Sequence, residues 1–362
     1  VIAAYGLGNI VAGNLGDEII VLTETGNAIA ADKLLAVVDL VDGTAGGVDA
    51  SSITSISGTY ADLNNVVAAS VDDLTTNAAY SVEITDVVAE AAADKLVALI
   101  EDTTGAKKFA TVDAIAGSVD NLLTIVRDGD TTLKVGVAFE ATDAGTTAEI
   151  SELKAATTGI VVATVSDGDI ETLLDPTTGL EAVGASTDDQ LTITLTDSTA
   201  SASDLLALNA ITSLLVNAVS VGEITGSYTD ISAVLADEQA SEVSLAAEVD
   251  LVVEASTGTP TVAEIIALAT SLRDTSGMTG TITATIDGTV TDAQAKNLTT
   301  VNTDVITVKL AAAVVSDAAN IALIAGKTSV AIDASLATGI AGGDSDIASA
   351  LTADAADISW GA

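Results

Sequence analysis

Short runs of alternating apolar and polar residues recur along the chain. The clearest cover residues 19–23, 54–57, 81–85, 135–140, 160–165, 191–196, 251–254, 281–286, 305–310 and 329–332. They are rich in Val, Ile and Thr at period two, as strands require. Between them lie short runs with helical spacing, opened by Asp32, Asp62, Asp94, Asp120, Asp204, Asp230, Glu264 and Asn320. An acidic residue in the first turn suits the positive end of the helix dipole. Ser118, Thr229 and Thr261, just upstream, read as N-caps.

The helical openings fall roughly 26 to 34 residues apart where none is skipped, with two further units near Ile150 and Ile170. A period of about 29 lies in the range of solenoid repeats and gives roughly twelve units. Two local matches share that phase. The stretch from Ile56 to Leu63 (Ile-Ser-Gly-Thr-Tyr-Ala-Asp-Leu) resembles the one from Ile224 to Ile231 (Ile-Thr-Gly-Ser-Tyr-Thr-Asp-Ile). Ala31-Asp32-Lys33-Leu34 resembles Ala93-Asp94-Lys95-Leu96. A strand–helix unit cannot bury its own apolar face, but stacked neighbours can. The expected fold class is therefore α/β: a solenoid of about twelve strand–helix repeats, with a parallel β-sheet and helices on one side. A doubly wound sheet would show continuous apolar strands. Thr192-Ile193-Thr194-Leu195-Thr196 instead alternates, which leaves one face polar.

Composition narrows the function. Apolar residues make up 49% of the chain and mean hydropathy is +0.53, which argues against disorder. Aromatics are only 2%, so the core must be aliphatic. The 52 acidic and 11 basic residues give a net charge of −41. Such a chain repels nucleic acid and anionic lipid, and suits a salty medium that screens self-repulsion. No apolar run reaches membrane-spanning length. Val1-Ile2-Ala3-Ala4 lacks a basic region and does not read as a signal peptide.

The 362 residues contain no His and no Cys. That excludes a Ser-His-Asp triad, a Cys nucleophile and a His-based zinc site. Gly6-Leu7-Gly8 with Gly13 has the wrong spacing for a dinucleotide fingerprint. Carboxylate pairs are too abundant to single out a glycosidase site. Tyr60 and Tyr228 share a repeat position and read as rings over a turn, leaving Trp360, Tyr5 and Tyr80 scattered. The Thr rows at 192–196 and 281–285 resemble ice-binding arrays but are not kept from unit to unit. Asn297-Leu298-Thr299 is a lone glycosylation sequon. Calcium is the one cofactor the turns suggest. Asp128 with Asp130, Asp167 with Asp169 and Asp344 with Asp346 place paired carboxylates beside small residues, as hard oxygen-ligated cations prefer. The bland reading of each is a solvated turn aspartate.

The acidic, Cys-free, aromatic-poor texture resembles large bacterial cell-surface repeat proteins of the surface-layer, adhesin and extracellular-filament type, with marine cyanobacterial examples the nearest in texture. It is carried by units such as Ile-Thr-Gly-Ser-Tyr-Thr-Asp from Ile224 to Asp230 and Ala-Ser-Asp-Leu-Leu-Ala-Leu from Ala202 to Leu208. The resemblance implies an extracellular location, self-assembly and bound calcium, and carries over no functional residue. The expectation is a non-enzymatic structural subunit, with 16–340 the repeat region. The apolar segment 1–15 and the segment 341–362 are its assembly contacts. The expected partner is the chain itself, head to tail, with a cell-surface glycan or another surface protein as further candidates. An adhesin or ligand-binding module without self-assembly is the alternative.

Overall fold

The computed structural model describes residues 19–23, 27–41, 47–70, 73–255, 258–275, 277–312 and 316–360. The expected assembly segment 1–15, with Tyr5 and the Gly6-Leu7-Gly8 turn, lies outside the described residues.

Twelve α-helices lie among the described residues: α1 Ala31–Val38, α2 Tyr60–Ala69, α3 Ala93–Asp102, α4 Val119–Arg127, α5 Thr147–Ala155, α6 Ile170–Leu173, α7 Ala202–Ala210, α8 Tyr228–Gln239, α9 Val262–Thr270, α10 Asp292–Ala295, α11 Ala318–Ala325 and α12 Asp344–Asp357. Thr59, Ser118, Thr146, Ser201, Ser227, Thr261 and Thr291 cap seven of them, each side chain accepting the N–H three residues on. Thr229 is not a cap. It sits inside α8, and Ser227 takes the role because it directly precedes the first helical residue.

The chain divides into two compact units, Val1–Ser166 with Val183–Leu191 and Asp167–Ala182 with Thr192–Ala362. In the first, three parallel sheets run side by side along the sequence. One joins Ile20–Val21, Val48–Ala50 and Leu74–Thr76. The next joins Ala28–Ala30, Ser55–Gly58, Ser81–Ile84, Lys107–Phe109 and Thr131–Leu133. The third contains Ala91–Ala92, Ala114–Gly117, Ala138–Gly145 and Val161–Val165. Ile29 faces Ile56, Ile56 faces Val82 and Val82 faces Lys107, so each step spans one strand–helix module. Helices α1 to α5 pack in sequence order beside these strands.

The second unit repeats the plan. Thr199–Ser201, Glu223–Gly226, Asp250–Val253, Ile282–Thr285 and Val305–Thr307 form one parallel sheet. Val216–Ala218 pairs with Val243–Leu245, Ser316–Asp317 with Ile340–Ala341, and Ile332–Ala334 with Ile358–Trp360, all parallel.

The protein is thus mixed α/β, with parallel strands in several sheets rather than in one. Most modules carry two strands of about three residues, separated by a tight turn such as Ser51-Ser52. The second strand is invisible to a search for alternation, because three residues supply only one or two inward positions. The core is aliphatic as expected. Leu34, Ile56, Leu63, Leu96, Ile115 and Leu122 are at most 1% exposed. Each such side chain contributes roughly 1.5–3 kcal/mol of burial. Among the described residues, Tyr80, Phe109 and Phe139 add large rings at comparable depth. No helix among the described residues is long and apolar enough to cross a membrane.

Candidate functional site

The repeated chemistry lies where one module meets the next, at the helix N-termini. Two solutions recur. In the first, the helix begins with Ala and the next module supplies Gly directly above it. A Cβ on Gly58, Gly117, Gly226 or Gly342 would stand 2.7, 2.5, 3.2 or 3.1 Å from the Cβ of Ala31, Ala93, Ala202 or Ala318. Each of these alanines is fully buried. In the second, the helix begins with a larger residue and the next module supplies a carboxylate. Asp86 accepts the Tyr60 N–H at 2.8 Å, Asp143 the Val119 N–H at 2.7 Å, and Asp197 the Ile170 N–H at 2.9 Å. Each acid directly follows a Thr, in Thr85-Asp86, Thr142-Asp143 and Thr196-Asp197. A carboxylate there satisfies an orphan first-turn donor and meets the positive end of the dipole. Asp86→Ala and Asp143→Ala should each cost about 1 kcal/mol. The expected readout is a lower urea midpoint at unchanged slope.

The four glycines define a motif of which the stretches Ile56–Leu63 and Ile224–Ile231 are two copies. Ile56-x-Gly58, Ile115-x-Gly117, Ile224-x-Gly226 and Ile340-x-Gly342 are followed, five residues after the glycine, by Leu63, Leu122, Ile231 and Ile347. Tyr60 and Tyr228 are the first residues of their helices, α2 and α8. The Tyr60 hydroxyl accepts the Ala92 N–H at 3.0 Å, so this ring bridges to the following module.

Farther inside, charged pairs join modules. Asp189 is fully buried and accepts from Lys154 Nζ at 3.0 Å, Val161 N at 2.8 Å and Ser186 N at 3.0 Å. Asp304, equally buried, accepts from Arg273 at 2.6 Å, Ile282 N at 2.8 Å and Val301 N at 2.8 Å. Both cations also donate to a glycine carbonyl, Lys154 to Gly159 and Arg273 to Gly280. The same cradle therefore recurs once in each unit, with Lys in one and Arg in the other. The sequence hid it because the partners are 35 and 31 residues apart. Tyr80 adds a neutral version. Its hydroxyl donates to Asp102 at 2.5 Å, and burial together with that acid raises its pKa far above the ordinary tyrosine value.

The carboxylates expected to bind calcium fall in separate places. Asp128 ends α4, pairs with buried Lys107 at 3.2 Å and accepts from Thr131 Oγ1 at 2.5 Å. Burial opposes its ionisation, but the Thr131 and Lys107 contacts outweigh it and lower its pKa. Asp130 lies in the turn that follows, where its carbonyl accepts the Lys107 N–H. Asp169 caps α6 through Thr172, which lowers its pKa, and Asp167 precedes it. Asp344 and Asp346 are not in a turn but in the first turn of α12, where the helix dipole accounts for two acids. Among the described residues, no group of three or more carboxylates is placed to hold a metal.

In the second unit, Asp169, Glu171, Asp197, Asp204 and Glu223 rim an open groove of about 560 Å³ floored by Ile170, Leu174 and Ala200. Asp197 and Asp169 are already committed there to helix N-termini. Comparison with protein-family models, with curated proteins and with solved structures finds no match for this chain.

Proposed function

We propose that the chain is a structural subunit of an extracellular surface layer or filament, assembling head to tail. The observation that carries this reading is where the repeated polar side chains go. Asp86, Asp143, Asp197, Asp189 and Asp304 all bind the backbone or a cation of a neighbouring module. A ligand-binding repeat protein keeps its repeated polar groups on a face turned to solvent. Here they hold the stack together. On this reading the modules wind as a solenoid of twelve strand–helix repeats, with strands about 4.8 Å apart. A net charge of −41 sets its medium, since screening must soften repulsion between copies. Calcium bridges between acidic copies, first suggested by Asp128, Asp130, Asp167, Asp169, Asp344 and Asp346, would act at contacts between chains.

The test is negative-stain electron microscopy of the purified chain in high salt, with calcium and then with a chelator. Ordered filaments or sheets are the expected result, and their loss in chelator would assign calcium to the contacts. Dispersed particles in both conditions would overturn the structural role and favour the adhesin or ligand-binding reading.

A further inference from the structure

The chain contains two prolines, and one of them, Pro176, directly follows an aspartate. Just past the C-terminal end of α6, Asp175 opens a turn that runs through exposed Pro176, Thr177 and Thr178 to buried Gly179. One carboxylate oxygen of Asp175 gathers the whole turn. Oδ1 accepts the Thr177 N–H at 2.8 Å and hydroxyl at 2.6 Å, and the Thr178 N–H at 2.8 Å and hydroxyl at 2.9 Å. All four donors lie downstream, so the carboxylate folds forward over the Asp175–Pro176 peptide. The Thr177 hydroxyl first, then the other three bonds, hold the Asp175 pKa well below the ordinary carboxylate range. The carbonyl of that same peptide accepts the Gly179 N–H at 2.8 Å. A Cβ on Gly179 would stand 2.6 Å from the Asp175 nitrogen and oxygen, so a side chain there would force the turn open. An ionised nucleophile thus sits beside a carbonyl whose oxygen already has a donor, where negative charge would develop. The group on the other side of that carbonyl is a tertiary-amide nitrogen, which leaves once it is protonated. Pro176 lines the groove rimmed by Asp169, Glu171, Asp197, Asp204 and Glu223. Their negative field concentrates protons beside it.

We propose that Asp175–Pro176 is a self-cleaving peptide bond, cut in acid by the Asp175 carboxylate. Oδ2 attacks the carbonyl carbon of its own residue and forms a cyclic anhydride. The C–N bond breaks, and the Pro176 nitrogen leaves with the electron pair and takes a proton from the water of the groove. A water molecule then opens the anhydride. That step restores the Asp175 side chain and leaves a C-terminal carboxylate on residue 175 and a free amino group on Pro176. The net reaction is hydrolysis of one peptide bond, with water the only co-reactant. The fragments 1–175 and 176–362 stay together, because Asp189 of the second holds Lys154 and the Val161 N–H of the first. Cleavage therefore turns one chain into a nicked particle of two, whatever larger assembly it belongs to.

The experiment incubates the purified chain across an acid pH series, returns it to neutral pH and reads denaturing gels and intact masses. Circular dichroism follows the fold. The expected products are 1–175 and 176–362, which elute together with uncut chain on size exclusion and separate only in denaturant. At one pH unit below the ordinary Asp value, only about a tenth of unfolded carboxylates are ionised, whereas Asp175 in the fold still is. The folded chain should therefore cut up to about tenfold faster there than the same chain in urea. Replacing both hydroxyls, as Thr177→Val with Thr178→Val, should forfeit most of that lead. Pro176→Ala keeps the carboxylate but not the tertiary-amide leaving group, and should slow cleavage sharply. Should acid unfold the protein first, the comparison is made at the lowest pH that keeps the fold. The polarised carbonyl should still put the folded chain ahead there. A folded chain that cuts no faster than the urea-unfolded one, or that cuts at another bond, would overturn the proposal.

Discussion

Replacing Asp189 by Ala should destabilise the first unit by about 3–5 kcal/mol, and Asp304→Ala should do the same to the second. Each carboxylate is fully buried and holds one cation and two backbone N–H groups from different parts of the chain. Removing it leaves the Lys154 ammonium, whose side chain is 9% exposed, with only the Gly159 carbonyl. It also strips the Val161 and Ser186 N–H groups of their acceptor. An uncompensated buried charge and two orphan donors are each costly. The measurement is urea unfolding followed by circular dichroism. An exposed pair supplies the contrast. Arg127 and Glu152 form a two-pronged contact at 2.8 and 2.7 Å, with side chains 58% and 39% exposed. Glu152→Ala should cost less than about 1 kcal/mol, because water screens and replaces that pair. If Asp189→Ala shifts the midpoint no more than Glu152→Ala, the buried cradle does not join the modules.

That contrast shows which parts of the fold were legible in the sequence. Long alternating runs were, since four or more residues at period two leave little choice. The runs at 81–85, 160–165 and 251–254 correspond to the strands Ser81–Ile84, Val161–Val165 and Asp250–Val253. Helix starts were legible through their first-turn acids, as at Asp62, Asp120 and Asp230. The second strand of most modules was not, because three residues such as Val48-Asp49-Ala50 carry too little pattern. The four-residue helix α10 escaped for the same reason. From sequence alone Asp344 and Asp346 read as a turn, because the preceding Gly342-Gly343 resembles one. Gly342 is there instead to clear the Ala318 side chain. The contacts that hold modules together lie 20 to 35 residues apart, such as Thr157 with Val137 and Lys154 with Asp189. No local spacing rule reaches that far. Short local repeats do carry helix onto helix. The 62-residue offset between Ala31 and Ala93 carries α1 onto α3, and the 168-residue offset between Ile56 and Ile224 carries α2 onto α8.

Close approach between modules makes the last prediction, and it falls on glycines chosen for space rather than for unusual dihedrals. After α3 the chain runs Thr103-Thr104-Gly105, and after α5 it runs Thr157-Thr158-Gly159. Thr103 Oγ1 donates to the Tyr80 carbonyl at 2.5 Å and accepts the Gly105 N–H at 3.0 Å. Thr157 Oγ1 likewise donates to the Val137 carbonyl at 2.5 Å and accepts the Gly159 N–H at 2.9 Å. The hydroxyl draws the turn onto the backbone of the preceding module. A Cβ on Gly105 would lie 2.2 Å from the Tyr80 oxygen, and one on Gly159 would lie 2.4 Å from the Gly136 and Val137 oxygens. These are backbone atoms, so no rotamer change relieves the clash, and both turns must move away together with their threonine bridges. Gly105→Ala and Gly159→Ala should therefore each cost about 3 kcal/mol or more, in the range of overpacking combined with a broken buried hydrogen bond. Gly129→Ala is the matched control, since nothing lies within 4 Å of its Cβ position. It should leave the urea midpoint unchanged or raise it slightly, because Ala restricts the unfolded chain. If the three substitutions give equal midpoints, the modules do not meet at these turns as closely as the geometry requires, and the Thr-x-Gly bridges hold nothing.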